Sequence, residues 1–357
     1  MTVFLTLVVI ALFGISLWQM SKLMNLARGK EGATEIANDK DNDTQGKLML
    51  AFVGFIYLLT IYCFTNYYTY FLPESASEHG KDYDTLMMIS VVLIMIVLIL
   101  TQGLLHYFAY KYRGKEGNKA LYFADNDKLE FIWTIIPVIV LAGLIIYGLF
   151  TWTDIMNFDE EEGDPLIVEL YGYQFGWRAR YAGEDNVLGK ANVRFIEGVN
   201  TLGLDVSDSY GMDDKVASEL HLPVNRRVIF KMRSQDILHS AYMPFFRAQM
   251  NVVPGMITEF SYIPTVTSEE MRNSEFMVEK VATINKIRKE KSKKLVAAGD
   301  EALEEYKFDY YLLCNKICGT SHYNMQMKIV VESEEDYKEW IKTQKTFKEQ
   351  MSAQASN

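Results

Sequence analysis

Cysteine is scarce, at 3 residues in a chain of 357. Cys63 lies in an apolar run and reads as a buried, inert thiol. That leaves one pair, too few to staple a fold with disulfides. Histidine is nearly as rare, with 5 residues, and His79, His106 and His221 lack ligand spacing and read as ordinary interface or surface groups. Basic residues number 36 against 46 acids, a net charge of −10 that argues against a nucleic-acid partner. No internal repeat is evident. No charged side chain precedes the first apolar run, and no small-residue cleavage site or lipid-attachment cysteine follows it. The run therefore reads as a retained helix, not a signal peptide.

Hydrophobic residues make up 49% of the chain and charged ones 23%, and the two are segregated along it. Four apolar runs, residues 3–20, 48–71, 85–110 and 131–152, are each long enough to cross a bilayer at about 1.5 Å per residue. Lys22, Arg28, Lys30, Lys40 and Lys47 lie between the first two. Lys111, Arg113, Lys115, Lys119 and Lys128 lie between the last two. Both loops are expected on the cytoplasmic side, which puts everything after Trp152 outside. There DEEEGD, at 159–164, reads as a solvated linker. Short runs follow (PLIVELYGYQFGWRARY, RRVIFKMR, MITEFSYI, KFDYYLLC, MQMKIVVE) whose alternation and β-branched content predict an antiparallel Greek-key sandwich. Residues 183–216 read as loop, and the charged, helix-prone stretch at 267–307 as a solvated helical hairpin or a partner-binding insertion. The tail from Ser333 is expected to start as a polar helix and then fray.

One stretch concentrates metal-binding chemistry. CNKICGTSHYNM, from Cys314 to Met325, holds two thiols, an imidazole and a thioether in a C-x-x-x-C-x-x-x-H-x-x-M array, ligands favoured by soft transition metals such as copper. The spacing by itself also suits a disulfide or half a zinc site. His239, in SQDILHS, supplies a further imidazole from far upstream. One His, His, Cys, Met set would make a mononuclear blue-copper site. The second cysteine would let both sulfurs bridge two ions, an arrangement for electron transfer with no position left open for substrate.

LHSAYMPFFRAQMNVVPG together with CNKICGTSHYNMQMKIVVE resembles subunit II of the haem–copper cytochrome c oxidases, and the resemblance runs from about residue 85 to 332. It implies a dinuclear copper (CuA) centre of two ions, held by His239, Cys314, Cys318, His322, Met325 and the backbone carbonyl of Lys316. It implies two transmembrane helices, which match the third and fourth of the four predicted transmembrane helices, followed by an all-β Greek-key cupredoxin sandwich. Residues 1–71 would carry two extra N-terminal helices and 72–152 the usual helical hairpin. Residues 153–335 would form the periplasmic domain, with the insertion at about 267–307, and 336–357 a polar tail. The implied place is the bacterial inner membrane. The implied partners are subunit I, which would hold the haem, other oxidase subunits, membrane lipid and a c-type cytochrome donor, which an acidic outer face would attract. Residues 1–71 serve either as extra anchoring or as a docking surface for another respiratory complex.

The family's Gln-Trp-x-Trp pattern for electron input is Gln174, Phe175, Gly176, Trp177 here, so Phe stands where the input tryptophan is expected. Tyr173 reads as core. Glu130, shortly before Trp133 and Thr134, matches the glutamate at the mouth of a proton-uptake path, and otherwise merely favours the helix dipole. Asp236 is expected to orient His239 or to meet a donor. Lys316 replaces a magnesium-binding Glu, and an ammonium is no ligand for Mg²⁺, so no magnesium ligand is expected from its side chain. The rival assignments are a copper-free quinol-oxidase subunit II and a non-redox membrane-anchored sandwich with a Cys314–Cys318 disulfide.

Overall fold

The computed structural model describes residues 2–27, 38–68, 71, 73–158 and 163–355. Arg28 and Lys30 of the first loop, and residues 159–162 of the acidic linker, lie outside them. The chain divides into two compact units, Met1–Asn66 with Val92–Phe131, and Tyr67–Val91 with Ile132–Asn357.

Four helices lead: α1 (Thr2–Ala27), α2 (Asp39–Tyr67), α3 (Gly80–Lys111) and α4 (Asp127–Met156). The last three are long and apolar enough to cross a membrane; in α1 the apolar stretch is Val8–Ser21. Among the described residues, many of their large apolar side chains are exposed, a surface suited to cover by lipid or other apolar chains. Several hydroxyls inside these runs are satisfied by the helix's own backbone. Thr85 Oγ1, Ser90 Oγ and Thr101 Oγ1 each donate to the carbonyl four residues back, at 2.7–2.8 Å, as an apolar solvent demands. In the first unit, Arg113 ties the end of α3 to Asp43 near the start of α2, at 2.7 Å.

The second unit holds two five-stranded sheets, ordered β3-β2-β1-β5-β8 and β4-β10-β9-β6-β7. The first comprises β1 (Leu166–Tyr173), β2 (Gly176–Tyr181), β3 (Lys215–Ala217), β5 (Val228–Ser234) and β8 (Thr258–Tyr262). The second comprises β4 (Leu220–Pro223), β6 (His239–Met243), β7 (Ala248–Val252), β9 (Tyr310–Cys314) and β10 (Gln326–Glu332). One face of each sheet packs into a shared core that includes Val168, Leu170, Phe230, Ala241, Leu312 and Ile329. The sandwich is not purely antiparallel as expected: β1 runs parallel to β5, and β4 to β10. Alternation marks which side chains face inward, but it is the same for parallel and antiparallel neighbours.

A buried ion network braces the first sheet. Arg180 bridges Glu169 and Asp214, and Arg233 also reaches Glu169, at 3.0 Å. Burial outweighs the neighbouring guanidinium and pushes Asp214 up to about 6. For Glu169 burial works the same way, but two guanidiniums overcome it and hold the carboxyl below its usual range.

The insertion is not a helical hairpin. Short α5 (Ser268–Asn273) leads into one long helix, α6 (Glu275–Ala297), and an extended segment returns along it. Gly299, at φ +90°, follows the helix end in a conformation suited to glycine. The returning backbone is then held by side chains of α6: Tyr306 N–H donates to Asn285 Oδ1 at 2.7 Å, Arg288 donates to the Glu304 carbonyl at 2.9 Å, and Leu303 N–H donates to Ser292 Oγ at 2.9 Å. The tail does not fray where expected either. After α7 (Glu334–Thr343), α8 (Phe347–Ala355) forms, and Phe347 is buried against Tyr171, Leu202 and Leu204. In α7, Trp340 stacks on His221 at 3.8 Å and 7°.

Candidate metal centre

Strand pairing explains how distant residues meet. β6 begins at His239 and β9 ends at Cys314; because they run antiparallel, Ala241 faces Cys314. β10 starts at Gln326 and pairs antiparallel with β9, so the loop between them must return to the same end of the sheet. Two backbone bonds pin it there: Cys314 N–H to the Met325 carbonyl and Asn315 N–H to the Ser240 carbonyl, both 3.0 Å.

Six donor groups converge at that end. The sulfurs of Cys314 and Cys318 are 3.8 Å apart, and both thiols are free. A disulfide would hold them at about 2.05 Å. Beside Cys314 stand His239 Nδ1 at 3.9 Å and the Lys316 carbonyl oxygen at 3.2 Å. Beside Cys318 stand His322 Nδ1 at 3.6 Å and Met325 Sδ at 3.7 Å. The set divides into halves, each with one imidazole and one weak donor, around two shared sulfurs. Thiolate–metal bonds of about 2.3 Å let both sulfurs reach a common ion across 3.8 Å. The donor chemistry therefore fits soft metal ions such as copper. Burial, reinforced by the neighbouring Cys314, pushes the Cys318 thiol up to about 11.

Asp236 orients the first imidazole. Its Oδ1 lies 2.8 Å from His239 Nε2 and accepts Ile237 N–H at 2.7 Å, while Oδ2 accepts Gln174 N–H at 2.7 Å. Partial burial opposes its charge, but these bonds outweigh that effect and hold the carboxyl below the usual range. Gln174 is the residue that sequence reasoning missed. Its backbone N–H meets Asp236, and its side-chain amide donates to the Cys318 carbonyl at 2.6 Å, joining the early turn to the cysteine loop. Only its place between Tyr173 and Phe175 hinted at that. Phe175 presses its ring on the same loop, where a Cβ on Gly319 would meet it at 2.8 Å. Trp177 is 3% exposed, with its ring centroid 6.0 Å from that of His239. Ile317 and Tyr323, inside the ligand loop, are 87% exposed. The Lys316 side chain points outward, exposed. Glu130 sits in the first turn of α4, outside the cluster.

Residues 64–150 match the family described as cytochrome C oxidase subunit II, transmembrane domain. The alternative cytochrome c oxidase subunit 2 of Bradyrhizobium diazoefficiens is 33% identical over 243 residues, 68% of this chain and 72% of that protein. Cytochrome c oxidase subunit 2 of Cereibacter sphaeroides is 22% identical, over 75% of this chain and 76% of its own length. Among solved structures, the periplasmic domain of subunit II of cytochrome oxidase from Bradyrhizobium japonicum overlaps 50% of this chain and 91% of its own, at 16% identity and a TM-score of 0.29. The match across the membrane helices and the relative that shares a third of its residues over both parts together carry the assignment: this chain belongs to the cytochrome c oxidase subunit 2 family.

Proposed function

We propose that this chain is the electron-accepting subunit of its oxidase, taking electrons from a c-type cytochrome at a dinuclear copper centre and passing them to haem in subunit I. Oxygen reduction, and the proton translocation coupled to it, belong to that neighbouring chain. The observation that carries this reading is the convergence of His239, Cys314, Cys318, His322, Met325 and the Lys316 carbonyl at one end of one sheet. A bound copper pair would supply one-electron transfer with little change in bond length.

The protein's own groups prepare that site. The Asp236 carboxylate accepts from His239 Nε2, which keeps Nδ1 deprotonated and turned to the sulfurs. Gln174 and the Cys314 and Asn315 backbone bonds fix the loop before any ion arrives, so little reorganisation accompanies transfer. Met325 would hold the metal as a weak donor and tune its potential. Ile317 and Tyr323 offer an exposed docking patch within the ligand loop, and electron entry is assigned to Phe175, packed against that loop, and to Trp177, whose buried ring lies 6.0 Å from that of His239. Lys316 contributes its carbonyl alone, and its side chain no magnesium ligand. Glu130 is assigned to proton uptake at the cytoplasmic mouth of α4. The domain after α4 is assigned to the periplasm of a bacterial inner membrane. The N-terminal helices are assigned to extra anchoring or to contact with another respiratory complex.

Copper reconstitution of the full-length protein tests the centre. A purple, mixed-valence two-copper electron paramagnetic resonance signal, lost in both Cys314→Ser and Cys318→Ser, is the expected result. A single-copper signal, or none, refutes the reading.

A further inference from the structure

A cavity of about 430 Å³ lies where the last turns of α4 and the start of α3 meet the first sheet. Its lining joins four unlike chemistries. Glu78, Asp82 and Asp154 contribute three carboxylates, none with an ion-pair partner among the described residues. Arg227 contributes a guanidinium whose side-chain partner among the described residues is the neutral Ser261 hydroxyl, at 3.1 Å. Tyr147 and Phe150 contribute aromatic wall, and His79 contributes an imidazole whose Nε2 donates to the Arg247 carbonyl, 3.4 Å away. Acids with no cation and a guanidinium with no anion, kept apart around one space, suit a ligand that carries both charges.

The position along the helices narrows the class. No charged residue occurs in α4 between Glu130 and Asp154, or in α3 between Asp84 and Lys111. The 23 intervening residues of α4 rise about 34 Å, enough for a hydrocarbon core of about 30 Å. Asp154 and Asp82 thus mark the level where apolar helix gives way to polar surface. Tyr147, Phe150, Thr151 and Asp154 share one face of α4, by their spacing of three and four residues. That face grades from aromatic to acidic along the helix axis, as an amphiphile does along its own length.

We propose that this cavity binds the head of a primary-amine phospholipid, with the ammonium on Glu78, Asp82 and Asp154 and the phosphate on Arg227. An ammonium with three N–H donors answers three acceptors, and a guanidinium is the side chain best shaped for phosphate. A trimethylated amine has no N–H to donate. An anionic head brings no cation to a lining in which acids outnumber the guanidinium.

Native mass spectrometry of the delipidated full-length protein, titrated with dioleoyl phosphatidylethanolamine, phosphatidylcholine and phosphatidylglycerol, tests this. One phosphatidylethanolamine is expected to bind at least tenfold more tightly than either other lipid. Asp154→Asn with Glu78→Gln should abolish that preference, and Arg227→Gln should weaken the lipid itself. Equal binding of phosphatidylcholine or phosphatidylglycerol to the unaltered protein overturns the proposal, and needs no variant to fold. So does an unchanged preference in variants that keep the melting temperature, or soluble phosphoethanolamine competing as well as the lipid.

Discussion

Replacing Asp236 with Asn removes one charge and changes almost no volume, so its effect isolates how the first imidazole is held. The carboxylate meets three donors: His239 Nε2 at 2.8 Å, and the N–H groups of Ile237 and Gln174 at 2.7 Å. A carboxylate only accepts, so all three are satisfied together. An amide offers one accepting oxygen. If it faces His239 and Ile237, the NH2 confronts Gln174 N–H, donor against donor. Flipped, it accepts from Gln174 and presents its NH2 to Nε2, which favours the tautomer with the proton on Nδ1, the nitrogen that faces Cys314. An orphaned donor of this kind costs about 1–3 kcal/mol. Loss of such an orienting partner weakens metal affinity by about 10–100-fold, or about 1.4–2.7 kcal/mol. Asp236→Ala, which forfeits every bond, should lose at least as much. The assay is competition for copper against a chelator of known affinity, on full-length protein whose melting temperature is unchanged. Affinity within threefold of the unaltered protein for both variants would refute the orienting role.

Arg180→Leu leaves Asp214 buried without its partner and should cost about 3–5 kcal/mol in denaturant unfolding, whereas Arg180→Leu with Asp214→Leu should cost clearly less; equal losses would discredit the ion network as the cause. Because Asp214 titrates near 6 when folded, above its ordinary value of 3.8, its stabilising share is complete below about pH 4 and is lost as pH rises through 6. Stability should therefore gain about 2–3 kcal/mol from this group on going from pH 8 to 4, a gain that Asp214→Asn should remove from the measured profile. Ile317→Ser with Tyr323→Ser should lower kcat/KM for a c-type cytochrome by about tenfold and leave the copper spectrum untouched; an altered spectrum would mean that the loop, not the docking, had changed. Phe347→Ala should cost about 3–5 kcal/mol, checked by thermal melting, and a loss below about 1 kcal/mol would show that the tail does not brace the sandwich.

The uninterrupted apolar runs and the donor residues were legible in the chain because each is local chemistry. A stretch without charge over 23 residues has few soluble alternatives, and two thiols, an imidazole and a thioether within twelve positions announce a taste for soft metals whatever surrounds them. The parallel β1–β5 and β4–β10 pairs, the extended return segment along α6 and the anchoring of Phe347 were not legible. Each depends on a partner far away in sequence, and alternation or helix propensity is indifferent to which partner it will be. Gln174 is the sharpest case: nothing local assigns its side-chain amide, and only the tertiary arrangement brings the Cys318 carbonyl within its reach and Asp236 to its backbone N–H. Composition determined which side chains would bind and which segments would avoid water. The pairing of β6 with β9 decided that His239 and Cys314 share a site, because side-chain bonds act over a few ångströms and only long-range strand register can close a sequence separation of 75 residues to that distance.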